Sequence, residues 1–246
     1  MNLIGHLACA LHYEPAVQLG SVLPDLLPLF RRRPRISTLA RMWEGEIPPA
    51  PEIQALLRGI RFHRYVDVEF HHGALFRGCS GGLLAALKGA SDTGGLKRFF
   101  PAHVLTELFF DRELMQHFPG LAADFNRLLE GEPLALTTTF ASRHPEFRAG
   151  ELHEFLSRLA ENGFVEDFRS ADGIFRRMNR ILGRYGQRWL EKAEQDAVTE
   201  FFHERMDWVR AEILRFVERM QQWEDGAPGV PRWELPGRAV ASRAGS

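Results

Sequence analysis

An all-α, single-domain helical bundle is the fold class this sequence predicts. Apolar residues recur at three- and four-residue spacing along most of the chain, and no series of alternating strands interrupts them. The 246 residues, 45% of them hydrophobic and 26% charged, suffice for one large buried core. No repeat or low-complexity block divides residues 1–225, which read as one domain. Residues 226–246, rich in Gly, Pro, Ala, Ser and Arg, read as a flexible tail.

The elements follow in order. Residues 2–13 predict a first helix, stopped near Pro15. Residues 17–31 are apolar, but Gly20, Pro24 and Pro28 are expected to bend or interrupt a helix there. The Pro- and Arg-rich stretch from Arg31 to Pro51 reads as irregular. A helix is expected to start after Pro51 and run to about His72. CSGGLLAALKGASDTGG holds a short helix between glycines, and a further helix spans about Gly95 to His117, with Pro101 a candidate for its first position. A short helix is expected at 121–131, a loop at TTTFASRHPEF, and helices at 150–163, 168–184 and 187–223.

A net charge of −1 argues against broad electrostatic capture of nucleic acid or anionic membrane. Cys9 and Cys79 form no CxxC pattern and fit a reduced, cytoplasmic chain. The apolar N-terminus lacks a basic segment and does not read as a signal peptide, and no apolar run reaches the roughly 18 residues of a membrane span. P-loop, dinucleotide fingerprint, GxSxG and HExxH patterns are all missing.

Two ladders carry the chemistry. His63, Asp67 and His71 are spaced by four, as are His103, Glu107 and Asp111, so each set lies along one helix face. Imidazole suits Zn, Fe and Mn, while carboxylate suits Mn and Mg. His6 lies in an apolar helix, and Asp25 in LGSVLPDLLPLF, where a carboxylate is costly unless paired or metal-bound. The bland readings stay open. The first ladder could be a solvated face, His103–Glu107 an ordinary pair, and His6 a satisfied core residue. Asp111, followed by Arg112 and Glu113, reads as part of a surface charge cluster. The runs Arg31–Arg35 and Arg176–Arg184 could be solvated, or could hold phosphate or an acidic partner.

With these residues in view, the chain resembles the acyl carrier protein phosphodiesterase family. MNLIGHL resembles that family's start through His6, and LGSVLPDLL resembles its aspartate segment through Asp25. RGIRFHRYVDVEFHH resembles its signature through Gly59, Ile60, His63, Arg64 and Asp67. AHVLTELFFDREL stands in place of its Asp/His helix, and GIFRRMNRIL resembles its arginine-containing helix. The chain departs from that pattern at Ser21, His71, His103, Glu107 and Leu108, and only Leu108 loses a metal-competent group. Pieces of the sequence are also similar to the zinc-dependent phospholipase C family.

The resemblance implies an HD-domain-like metal hydrolase architecture. It implies release of 4′-phosphopantetheine from holo acyl carrier protein by phosphodiester hydrolysis, in the service of fatty acid metabolism. His6, Asp25, His63, Asp67, His71, His103 and Glu107 would hold one or two divalent ions (Mn, Fe, Zn or Mg). Asp25, Asp67 and Arg64 would act on the attacking water and the phosphate, and the acidic carrier would dock on Arg31–Arg35 or Arg176–Arg184. The competing expectation is a non-catalytic helical binding protein with a drifted site.

Overall fold

Eleven α-helices and one short 3-10 turn build the computed structural model, which describes residues 2–31, 35–43, 49–91 and 97–223; no strand occurs among them. In chain order the helices are α1 (Leu3–Ala10), α2 (Pro15–Phe30), α3 (Ile36–Trp43), α4 (Pro51–His72), α5 (Ala74–Ala90), α6 (Phe99–His117), α7 (Leu121–Arg127), α8 (Gly131–Ser142), α9 (Ala149–Glu161), α10 (Ala171–Arg184) and α11 (Lys192–Met220). No helix among the described residues is long and apolar enough to cross a membrane. The 226–246 tail, together with Arg32 and Arg33 of the first basic run, lies outside the described residues.

α1 is the hub. LIGHLACA is apolar all round except for His6, and a helix of that kind has to be buried on every side. All eight of its residues are buried, and it packs against α2, α4, α6, α7 and α11. α2 and α4 form the closest pair. Gly20 and Gly59 meet backbone to backbone, and a Cβ on Gly59 would lie 2.1 Å from the Val17 carbonyl oxygen. On the other flank α5 lies along α11, where Gly82 leaves room for the Phe201 ring. α11 is the longest element. It begins at a capping box in which Glu191 and Glu194 each satisfy the other's backbone N–H.

Three expectations fail on tertiary grounds. α2 runs unbroken through Pro24 and Pro28, although each proline removes a helical hydrogen bond at a cost of about 3 kcal/mol. Burial of Leu19, Val22, Leu23, Leu26 and Leu27 outweighs that loss, and Pro28 points to solvent. Residues 36–43, expected to be irregular, form α3. There Trp43 stacks on Phe140 and donates from Nε1 to its carbonyl at 2.9 Å. TTTFAS, expected as loop, is the second half of α8. Phe140 and Ala141 are buried, and Thr137 bonds back to the Pro133 carbonyl. Smaller shifts also occur: Pro101 sits third in α6 rather than first, and α11 starts five residues later than periodicity suggests.

Candidate metal centre

Four helices converge on one polar pocket in this apolar interior. α1 supplies His6, α2 Asp25, α4 His63, Asp67 and His71, and α6 His103 and Glu107. The Gly20–Gly59 contact makes the first part of this possible. It brings α2 and α4 close enough for His63 Nδ1 to reach the Ser21 carbonyl at 2.8 Å. That bond requires the proton on Nδ1 and leaves the Nε2 lone pair for a ligand, the usual way an outer partner orients a metal-binding imidazole. The His63 ring stacks on His6 at 3.8 Å between centroids.

Two groups can each bring three ligand atoms within 4.8 Å of one another: His6, His63 and Asp67, then His71, His103 and Glu107. Asp67 links them, its Oδ1 lying 3.6 Å from His6 Nε2 and 3.5 Å from His71 Nδ1. Asp25 joins the first group, with Oδ2 3.8 Å from His6 Nε2.

The groups differ in how well they are satisfied. His6 is fully buried, and among the described residues neither ring nitrogen has a hydrogen-bond partner; the buried Oδ2 of Asp25 also lacks one there. Orphaned buried polar atoms each cost about 1–3 kcal/mol and call for a cause. In the second group Glu107 Oε1 sits 3.1 Å from His71 Nε2 and 3.3 Å from His103 Nε2, and His71 Nδ1 bonds the Asp67 carbonyl at 2.8 Å. That group closes on itself without an ion.

Electrostatics agree with this division. Burial holds the His6 and His63 imidazoles below their ordinary range, so both are neutral and ligand-competent at neutral pH. Burial, reinforced by the carboxylates of Asp67, Glu107 and Asp111, pushes Asp25 well up. Burial alone would also raise Asp67 and Glu107, but the His6 imidazole holds Asp67, and the charge of the α-amino group together with the His103 and His71 imidazoles holds Glu107, below the usual carboxylate range. A cation beside Asp25 would relieve the repulsion among these acids. The donor set of neutral imidazoles and carboxylates therefore fits a divalent ion, most closely at His6, Asp25, His63 and Asp67.

Asp111 corrects the surface reading. It is completely buried and accepts a hydrogen bond from the Gly5 N–H at 2.9 Å. Asn2 gives α1 no side-chain cap, so Asp111 serves the helix start from across the core and fixes the turn that carries His6. Burial raises its pKa to about 8. Glu113 is buried as well and pairs with Arg210 at 3.2 Å. The signal for Asp111 was its place as the third rung of the second ladder; its charged neighbours hid it.

Asp25 and Glu107 open onto a cleft of about 90 Å³, walled also by Val104, Leu108, Phe164 and Arg177. Leu108, where the resemblance would put a histidine, is thus a wall residue. Arg64 is exposed on α4. Arg31 pairs with Glu151 at 2.9 Å, and Arg176, Arg177 and Arg180 share Asp167 at 3.2, 3.6 and 4.0 Å. Set beside protein-family models, curated proteins and solved structures, the chain matches none of them.

Proposed function

We propose that this chain is a metal-dependent phosphodiester hydrolase whose centre is His6, Asp25, His63 and Asp67. One observation carries the reading: imidazoles and carboxylates from separate helices converge in an apolar core, and three of their buried atoms have no partner among the described residues. Bound divalent ions would acidify a water and neutralise phosphate charge.

The chain's own residues do the rest. The Ser21 carbonyl fixes the His63 tautomer, and Asp111 steadies the turn bearing His6. Asp25 borders the cleft, so its carboxylate is placed to accept a proton from the attacking water. The apolar walls limit water around the phosphate. The resemblance to acyl carrier protein phosphodiesterases makes holo acyl carrier protein the first substrate to test, with the acidic carrier approaching Arg31 and Arg35 or the α10 arginines.

The test has two stages. Protein purified without chelator should contain a divalent metal, and Mn, Fe, Zn or Mg added to stripped protein should raise its thermal stability. Activity is then measured on holo acyl carrier protein, a bis-aryl phosphodiester and phosphatidylcholine. Release of 4′-phosphopantetheine supports the proposal, and cleavage of phosphatidylcholine alone favours a phospholipase C-like activity. Protein that neither gains stability from any of the four metals nor hydrolyses any substrate is a helical binding protein instead.

A further inference from the structure

A second cleft, of about 250 Å³, adjoins the one at the metal centre. The two share Leu29, Phe164 and Arg177 as lining, so they are parts of one groove. At the inner end stand Asp25 and Glu107, and at the outer end Arg180 and Arg184 of α10. The inner cleft, from which the groove leads outward, is largely apolar, with Leu29, Val104, Leu108 and Phe164 in its wall.

Arg177 is fixed at the junction. Its guanidinium lies 3.8 Å from the Phe164 ring centroid and donates from Nη2 to the Phe164 carbonyl at 3.1 Å, while its buried Nε has no partner among the described residues. Among the described residues Asp167 is the only carboxylate lining the outer cleft, where it faces three arginines. It lies 3.6 Å from Arg177 and 4.0 Å from Arg180, and among the described residues Arg184 forms no ion pair. The outer end therefore keeps an excess of positive charge on guanidinium groups, which recognise phosphate and carboxylate by paired hydrogen bonds.

We propose that the substrate is a phosphoester carrying a second anionic group beyond an apolar segment, with that second group bound by Arg180 and Arg184. The proposal rests on the hydrolase reading for the inner end, and it specifies which phosphoesters the groove selects.

Calorimetric titration of the full chain with hexyl phosphate and with the α,ω-bisphosphate of hexanediol, each with and without Mn, tests it. The bisphosphate should bind about tenfold more tightly than the monophosphate or better, as expected for an added charge-assisted contact. R180A/R184A should abolish that advantage. R215A, exposed on α11 and outside the groove, should keep it. Equal affinity for the two probes, or an advantage surviving in R180A/R184A, overturns the outer subsite. Monophosphate binding that ignores Mn overturns the inner metal site instead, so the two failures are distinguishable. Both arginines are exposed, and a melting temperature matching the wild type verifies that the double variant is folded.

Discussion

The two halves of the polar pocket are built from the same side-chain types and behave differently. His71, His103 and Glu107 bond to one another and to their own helix, whereas His6 and Asp25 are left with buried atoms that have no hydrogen-bond partner among the described residues. The first arrangement stabilises the apoprotein. The second costs stability and makes sense where a cation completes it, a pattern in which function is retained at the expense of the fold. Composition alone would have ranked the groups equally; hydrogen-bond satisfaction separates them.

The largest expected effect is on activity. His63→Ala and Asp25→Ala should each lower hydrolysis by more than the roughly 10–100-fold typical of an outer-shell change, with the fold retained by circular dichroism. His103→Ala should cost less than either. Equal losses at all three positions would erase the distinction between the groups.

Next comes the scaffold. Gly59→Ala forces a Cβ into the Val17 carbonyl and should destabilise the chain by about 3 kcal/mol in urea unfolding. Because only the first group spans α2 and α4, this variant should also lose more metal affinity than a change at His103. A wild-type urea midpoint in Gly59→Ala would mean that the helix crossing is more tolerant than its geometry implies.

Smaller, but opposite in sign, are two isosteric changes. Asp25→Asn should stabilise the metal-free chain by about 1 kcal/mol, by removing a carboxyl crowded by other acids, while losing the stability gained from metal. Glu107→Gln should destabilise the metal-free chain by about 1–2 kcal/mol, since it weakens two imidazole contacts. Thermal melts of both variants in chelator give the signs directly.

Asp111 contributes a dependence on pH instead. Its folded-state pKa of about 8 lies above the unfolded carboxyl value, about 3.9. The folded chain thus keeps a proton that the unfolded chain releases, and this contribution to stability is lost as pH rises from about 4 through about 8. Asp111→Asn keeps an acceptor for the Gly5 N–H and cannot titrate, so its melting temperature in chelator should fall less over that range than the wild type's. Parallel pH profiles would mean that Asp111 does not carry the dependence.

How much was legible depended on whether the signal was local. α4 was readable end to end: Pro51 suits a first helical position, the apolar spacing holds for six turns, and Gly73 follows. Both ladders were readable too, because side chains four apart share a helix face wherever the helix goes. α3 and the second half of α8 were missed, since prolines and a threonine run give the local signals of a loop, and buried aromatic packing at Trp43 and Phe140 overrides them. Arg177 was visible only as one member of a basic run.

The sequence by itself determined the helical class, the ladders and the suspicion attached to Asp25, because periodicity and the cost of an apolar setting are properties of short stretches. Tertiary structure alone decided that His6 and Asp25 meet His63, that Asp111 turns inward to α1, and that one cluster closes while the other does not. The first of those outcomes depends on two glycines, far apart in the chain, letting α2 and α4 touch backbone to backbone, a distance that no local pattern encodes.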